Sequence, residues 1–294
     1  MFAQFFGGYL FNHKLCSAED LTQAFEAKKY TRLRLGVLAI NAGLMTAEQV
    51  EHVNITQQSV DKRFGDLAVE LGYVTEEDVE KLLSQQPTDY LLLGQTLVNN
   101  GALTNAEFEK AINDYKAENQ LSDDDISENQ NETLNKLIKE FYHFDSAVDA
   151  KINTEFVTLL FKNIIRFIGD DFTPLEASVV NNYKAENLII QHINGTYSAT
   201  ACIGAYRDAY IGFAARFAKE DFTEIDDFVH ATVGEFLNVN DGLFIVNESN
   251  ERGVELSLTP QELSESAEIF FDDTAFCIPV VFPFGQVDFI ISNH

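Results

Sequence analysis

With 294 residues, 46% of them hydrophobic, the chain is long enough for two domains with packed cores, and disorder throughout is excluded. Its formal charge of −27 comes from 20 basic and 47 acidic side chains, and residues 1–120, 121–150 and 151–294 are each acidic on balance, which disfavours broad binding to nucleic acid or to an anionic membrane. Cys16, Cys202 and Cys277 are odd in number and form no C-x-x-C pair, so neither a disulfide framework nor a zinc site is expected, and a reducing, cytoplasmic compartment fits.

The opening MFAQFFGGYLF is apolar but lacks a basic flank and runs into a charged amphipathic segment. It reads as part of the fold rather than as a signal peptide. No run of about eighteen apolar residues follows, so no transmembrane helix is expected.

The first 120 residues repeat. Gly7, Gly36, Gly65 and Gly94 are spaced by 29 residues, and Gly43, Gly72 and Gly101 each follow their partner by seven. In the first copy Lys14 stands where the others have the second glycine. Each copy predicts a short helix, a glycine-ended turn, and a second helix. In the second copy Val37, Leu38 and Ile40 lie on the first helix, and Gly43 supplies a left-handed C-cap. Thr46 with Gln49, and Thr104 with Glu107, have capping-box spacing, while Thr75 with Asp78 predicts a weaker version. One such unit cannot bury its own apolar face, so neighbours must stack.

These residues resemble the N-terminal domain of type II secretion ATPases of the GspE/MshE kind, whose pattern runs R-L-G, a glycine seven residues on, and a terminal glutamine. The matching positions are Arg34, Leu35, Gly36, Gly43 and Gln57, then Arg63, Gly65, Gly72 and Gln86. The resemblance implies a cyclic di-GMP site, with Arg34 and Arg63 meeting phosphate or stacking on guanine and the glycines admitting the ligand. The alternative is that the glycines serve turns and packing while the arginines are solvated. Ala39, Asn54, Phe64, Leu92 and Tyr115 depart from the pattern.

Residues 117–131, AENQLSDDDISENQN, are polar and acidic and read as a tether, with Asp123, Asp124 and Asp125 solvated rather than a metal loop. The expected organisation is a helical repeat domain over 1–116, this linker, and a second domain over 132–294. Leu134, Leu137, Ile138, Phe141 and Phe144 have helical spacing and lead into that domain. A helix over 151–169 follows, then strands at Leu188–Ile193, Thr196–Ile203 and Ala209–Phe217. A second long helix spans about Asp221 to Asn240, ended by Gly242. Strands close the chain at about Leu243–Asn247, Val254–Leu258, Thr274–Phe282 and Gln286–Ile291. The expected fold class is α+β: an all-α repeat domain of short helix pairs, then a domain with a β-sheet and two long helices.

On that second helix Asp227, Ala231, Glu235 and Asn238 share one face. Gly234 inside the helix costs about 1 kcal/mol relative to Ala, which suggests close packing. Glu235 and Asn238 are three apart, Gly242 follows, and 21 residues separate Asn238 from Pro260. This stretch, GEFLNVNDG with its distant proline, resembles the CheX/CheC chemotaxis phosphatases over residues 150–294. Ala231 departs from the pattern, which has an acidic residue or serine four before the glutamate.

The resemblance implies hydrolysis of the aspartyl phosphate on a CheY-like receiver. Phosphate and Mg²⁺ would sit on the partner, so no cofactor or metal of the chain's own is expected. Asn238 would position an in-line water, and Glu235 would pair with the receiver's active-site lysine. Pro260 reads as structural. A homodimer is also implied. The alternative is a non-catalytic adaptor or sensor that docks a receiver and binds cyclic di-GMP. The six histidines lack ligand spacing, and His230 reads as a surface helix residue. No glycine loop of the Walker or Rossmann type is present.

Overall fold

The computed structural model describes residues 2–85, 88–119, 131–142, 144, 149–264 and 268–293. The chain divides into two compact units that meet in sequence near residue 130.

The N-terminal unit is helical: α1 Phe2–Asn12, α2 Ala18–Ala27, α3 Leu35–Asn41, α4 Ala47–Gln57, α5 Phe64–Glu70, α6 Glu76–Ser84, α7 Asp89–Asn99 and α8 Asn105–Glu118. The helices α2, α4, α6 and α8 start behind Ser17, Thr46, Thr75 and Thr104, each closing a capping box. Asp78 is not the weaker partner expected of it. Its shorter carboxylate still accepts from Thr75 N at 2.9 Å and from Thr75 Oγ1 at 2.6 Å.

Two sets of glycines have two causes. Gly43, Gly72 and Gly101 sit at φ of +66°, +73° and +79°, where a side chain is strained. Lys14 adopts the same conformation at φ +57° without being glycine. Gly36, Gly65 and Gly94 instead let the next helix approach: a Cβ there would lie 2.7 Å from Val50, 3.1 Å from Val79 and 2.2 Å from Phe108. The core centres on Phe6, whose ring meets those of Tyr9, Tyr90, Phe108 and Tyr115.

The C-terminal unit contains α9 Asn131–Tyr142, α10 Asp149–Phe167, α11 Arg207–Ala218 and α12 Asp227–Arg252. Its strands are β1 Thr173–Pro174, β2 Ser178–Lys184, β3 Asn187–Gly195, β4 Ala199–Ala205, β5 Leu256–Leu258, β6 Glu262–Leu263, β7 Glu268–Phe282 and β8 Gly285–Asn293. They form one curled antiparallel sheet, ordered β1-β7-β8-β4-β3-β5, with β2 also on β7 and β6 also on β3. Helices cover one face, where Phe213 of α11, Phe236 of α12 and Phe289 of β8 pack ring against ring. The other face buries Leu188, Ile190, Cys202, Phe271, Cys277 and Ile290 beneath Val180 and Tyr183 of β2.

Three expectations are corrected. Residues 209–217 are helix, not strand: Ala209, Tyr210, Phe213 and Ala214 are the buried positions, which is the spacing of a helix face, and Lys219 ends it in a left-handed C-cap. Leu243–Asn247 is not a strand, because α12 continues to Arg252 with Phe244 and Glu248 still buried. Gly242 therefore lies inside the helix, and Gly253 at φ +67° is its stop. The unit thus has a third helix on the sheet besides the two long ones. Most of the acidic tether falls outside the described residues, although Ala117 and Glu118 belong to α8. Among the described residues no helix is long and apolar enough to cross a membrane.

Candidate functional site

Helix α12 carries the candidate site residues Glu235 and Asn238. Asp226 caps it, its carboxylate accepting from Val229 N at 2.9 Å, and Val229, Val233, Phe236 and Leu237 anchor it in the core. The opposite face is open. Asp227, Ala231 and Glu235 are exposed and Asn238 is half-buried beside them. At 100° per residue, Phe228, Ala231, Glu235, Asn238 and Val246 fall within about 100° of arc. Phe228 and Val246 are 56% and 53% exposed, which puts apolar surface around the polar pair.

Glu235 and Asn238 are brought together: Asn238 Nδ2 lies 3.4 Å from Glu235 Oε2. From beneath, Gln191 of β3 donates from Nε2 to Asn238 Oδ1 at 3.1 Å and to the Thr259 carbonyl at 2.8 Å. Pro260 follows Thr259 and restricts its backbone to extended conformations. Gly234 is not demanded by packing, since a Cβ there would make ordinary contacts with Gln261 and Ile189 at 3.5 and 3.8 Å.

His230 is not a plain surface residue. Its Nδ1 lies 3.1 Å from Tyr210 Oη, and burial holds its pKa below the usual histidine value against the opposing pull of Asp227 and Asp226. One turn beyond Asn238, Asp241 is fully buried, and burial pushes its carboxyl up to about 8, the Asn240 amide opposing. Among the described residues no group of three or more His, Cys, Asp or Glu is arranged to hold a metal.

In the N-terminal unit, Arg34, Leu35, Gly36 and Gln57 line one cavity of about 330 Å³ together with Asn54, Phe64, Gln95 and Asn105. Gly43, Arg63, Gly65 and Gly72 do not line it, and Gln86 lies outside the described residues. Arg34 and Arg63 are N-cap residues of α3 and α5. Gln57 donates to the Lys62 carbonyl at 2.8 Å, which ties the end of α4 to the loop leading into α5.

No family model matches the chain, and no curated protein does. Among solved structures, the chemotaxis protein CheX from Desulfovibrio desulfuricans aligns with 49% of this chain over 99% of its own, at 17% identity and a TM-score of 0.43. A CheC-like superfamily protein from Shewanella sp. PV-4 aligns with 49% of this chain over 97% of its own, at 15% identity and a TM-score of 0.43. In the CheX–CheY–BeF3–Mg²⁺ complex from Borrelia burgdorferi, the matched chain aligns over 97% of its length with 49% of this one, at 14% identity and a TM-score of 0.39.

Gln191, Thr259 and Asp241 escape a reading of the sequence. Gln191 follows the apolar run Leu188-Ile189-Ile190, and its only sequence signal is that polar interruption.

Proposed function

We propose that the C-terminal unit hydrolyses the aspartyl phosphate of a CheY-like receiver. The observation that carries this reading is the Glu235–Asn238 pair on an open helical face, with the Asn238 amide held from behind. Phosphoryl group and Mg²⁺ would belong to the receiver, so the chain need supply only docking and an oriented water. Water oxygen forms the new bond to phosphorus, the bond to the aspartyl oxygen breaks, and inorganic phosphate leaves as the carboxylate is restored. Asn238 is suited to orient that water. One Nδ2 hydrogen and one Oδ1 lone pair remain after its internal hydrogen bonds, and the amide carries no charge to repel phosphate. Glu235, exposed and anionic, is suited to a lysine on the partner. The apolar flank of Phe228 and Val246 supplies a docking surface.

The test uses a panel of CheY-like receivers charged with acetyl phosphate in Mg²⁺, with phosphate release as readout. The wild type should accelerate dephosphorylation of at least one, Asn238→Ala should abolish the acceleration, and Glu235→Ala should raise the KM for the receiver. A variant Asn238→Ala as active as wild type, or a panel that the wild type leaves untouched, sinks the catalytic reading.

A second reading concerns the N-terminal unit, as a helical repeat that senses cyclic di-GMP. Its support is the cavity lined by Arg34, Leu35, Gly36 and Gln57, where Arg34 is the one charged residue among amides and apolar groups in a strongly acidic chain. Calorimetry with cyclic di-GMP should show binding that Arg34→Ala weakens at least tenfold, which is about 1.4 kcal/mol. No heat with the wild type at high ligand concentration ends this reading.

A further inference from the structure

We infer that Gln191 is a positioning residue that sets which way the Asn238 amide faces. The functional half of this inference rests on the phosphatase reading; the geometric half does not. Side chains of a strand alternate between its two faces. Leu188 and Ile190 of β3 enter the far core, which leaves Ile189, Gln191 and Ile193 for the helix-covered face. Gln191 is thereby delivered, fully buried, beneath Asn238.

The orientation follows from what each atom can do. A backbone carbonyl only accepts, so at 2.8 Å from Thr259 O the Gln191 side chain must present its NH₂ group. That group's second hydrogen then points at Asn238, which must answer with Oδ1. Nδ2 of Asn238 is left facing Glu235 and solvent. The chain of constraint begins at a rigid anchor: Thr259 N donates to the His192 carbonyl at 2.9 Å, and His192 N donates to Thr259 Oγ1 at 3.1 Å. Among the described residues Gln191 Oε1 has no hydrogen-bond partner. A buried amide that satisfies only its donors destabilises the strand relative to an apolar residue. Fixing the Asn238 rotamer is what that arrangement achieves.

Gln191→Met keeps the length and removes both donors. Isotope-labelled protein is observed by NMR through the side-chain NH₂ groups, and turnover is measured on the receiver panel charged with acetyl phosphate. In the wild type the Gln191 amide protons should exchange slowly with solvent. In Gln191→Met the Asn238 NH₂ resonances should shift towards those of a freely rotating amide. The kcat should fall about ten- to a hundredfold, the cost of a small misplacement, with KM for the receiver unchanged. The double variant with Asn238→Ala should be no slower than Asn238→Ala alone. A kcat like wild type in Gln191→Met overturns the inference, and so does free exchange of the Gln191 amide in the wild type, a measurement that needs no variant to fold. Wild-type activity in Asn238→Ala is a different failure. It removes the phosphatase reading, and the resonances still decide whether Gln191 orients Asn238.

Discussion

A Cβ added at Gly94 would lie 2.2 Å from the ring of Phe108, which is fully buried and held against Phe6. Gly94→Ala therefore forces a core aromatic to move and should destabilise the N-terminal unit by about 1–3 kcal/mol. Gly234→Ala should do the opposite. Its Cβ meets Gln261 and Ile189 at ordinary distances, so the gain in helix propensity, up to about 1 kcal/mol, is kept. Thermal unfolding of the two variants reads both signs, and equal shifts would contradict the packing distinction.

Lys14 provides a third sign. It holds the left-handed conformation at φ +57° that Gly43 holds one repeat later. Lys14→Gly should stabilise by up to about 1 kcal/mol, because the steric cost of that conformation disappears. Gly43→Ala should lose a similar amount despite open space around it, since the strain is in the backbone. Denaturant midpoints with unchanged slopes would establish each effect.

Asp241 predicts a pH dependence. Its folded-state pKa is raised by burial to about 8 from an ordinary value of 3.8, so between these values the folded chain keeps a proton that the unfolded chain releases. Stability from this group is thus full below about pH 4 and declines as pH rises towards 8, with a slope of at most about 1.4 kcal/mol per unit. Asp241→Asn removes the titrating group while an oxygen can still accept from Asn240, 3.3 Å away. The variant should be more stable than wild type at pH 8 and show a flatter profile between pH 5 and 8. Parallel profiles would show that Asp241 does not titrate in this range.

Local chemistry explains what was legible in the sequence. The caps at Thr46, Thr75 and Thr104 are decided within four residues, and each is where its spacing predicts. Residues 209–217 misled because AYIGFAARF is apolar nearly throughout and fits either period, until Phe284 and Phe236 from distant segments choose the helix. Strand β2 left no signal: SVVNNYK is mostly exposed and is a strand only through β7, some ninety residues away. The site divides the same way. Glu235 and Asn238 are a local spacing, but the Gln191 amide reaches Asn238 across 47 residues and Thr259 across 68, and only the register of β3 brings the three together.

Arg252 closes helix α12 between two carboxylates. It donates to Glu155 of α10 and lies 3.1 Å from Glu248, which is 2% exposed and also accepts from Tyr197 Oη at 2.9 Å. Burial raises the Glu155 pKa, Arg252 opposes that rise, and Glu248 adds to it. Arg252→Met removes the cation and leaves two partly desolvated acids side by side. The loss should lie between that of a surface pair and that of a buried one, about 2–3 kcal/mol at pH 8. Arg252 opposes the rise of the Glu155 pKa, so with the cation gone folding takes up a proton at Glu155 more readily, and the variant should regain stability relative to wild type as pH falls. The difference between the two melting profiles isolates this effect from Asp241, which both proteins share. A difference that stays constant with pH would mean that Arg252 acts by packing alone.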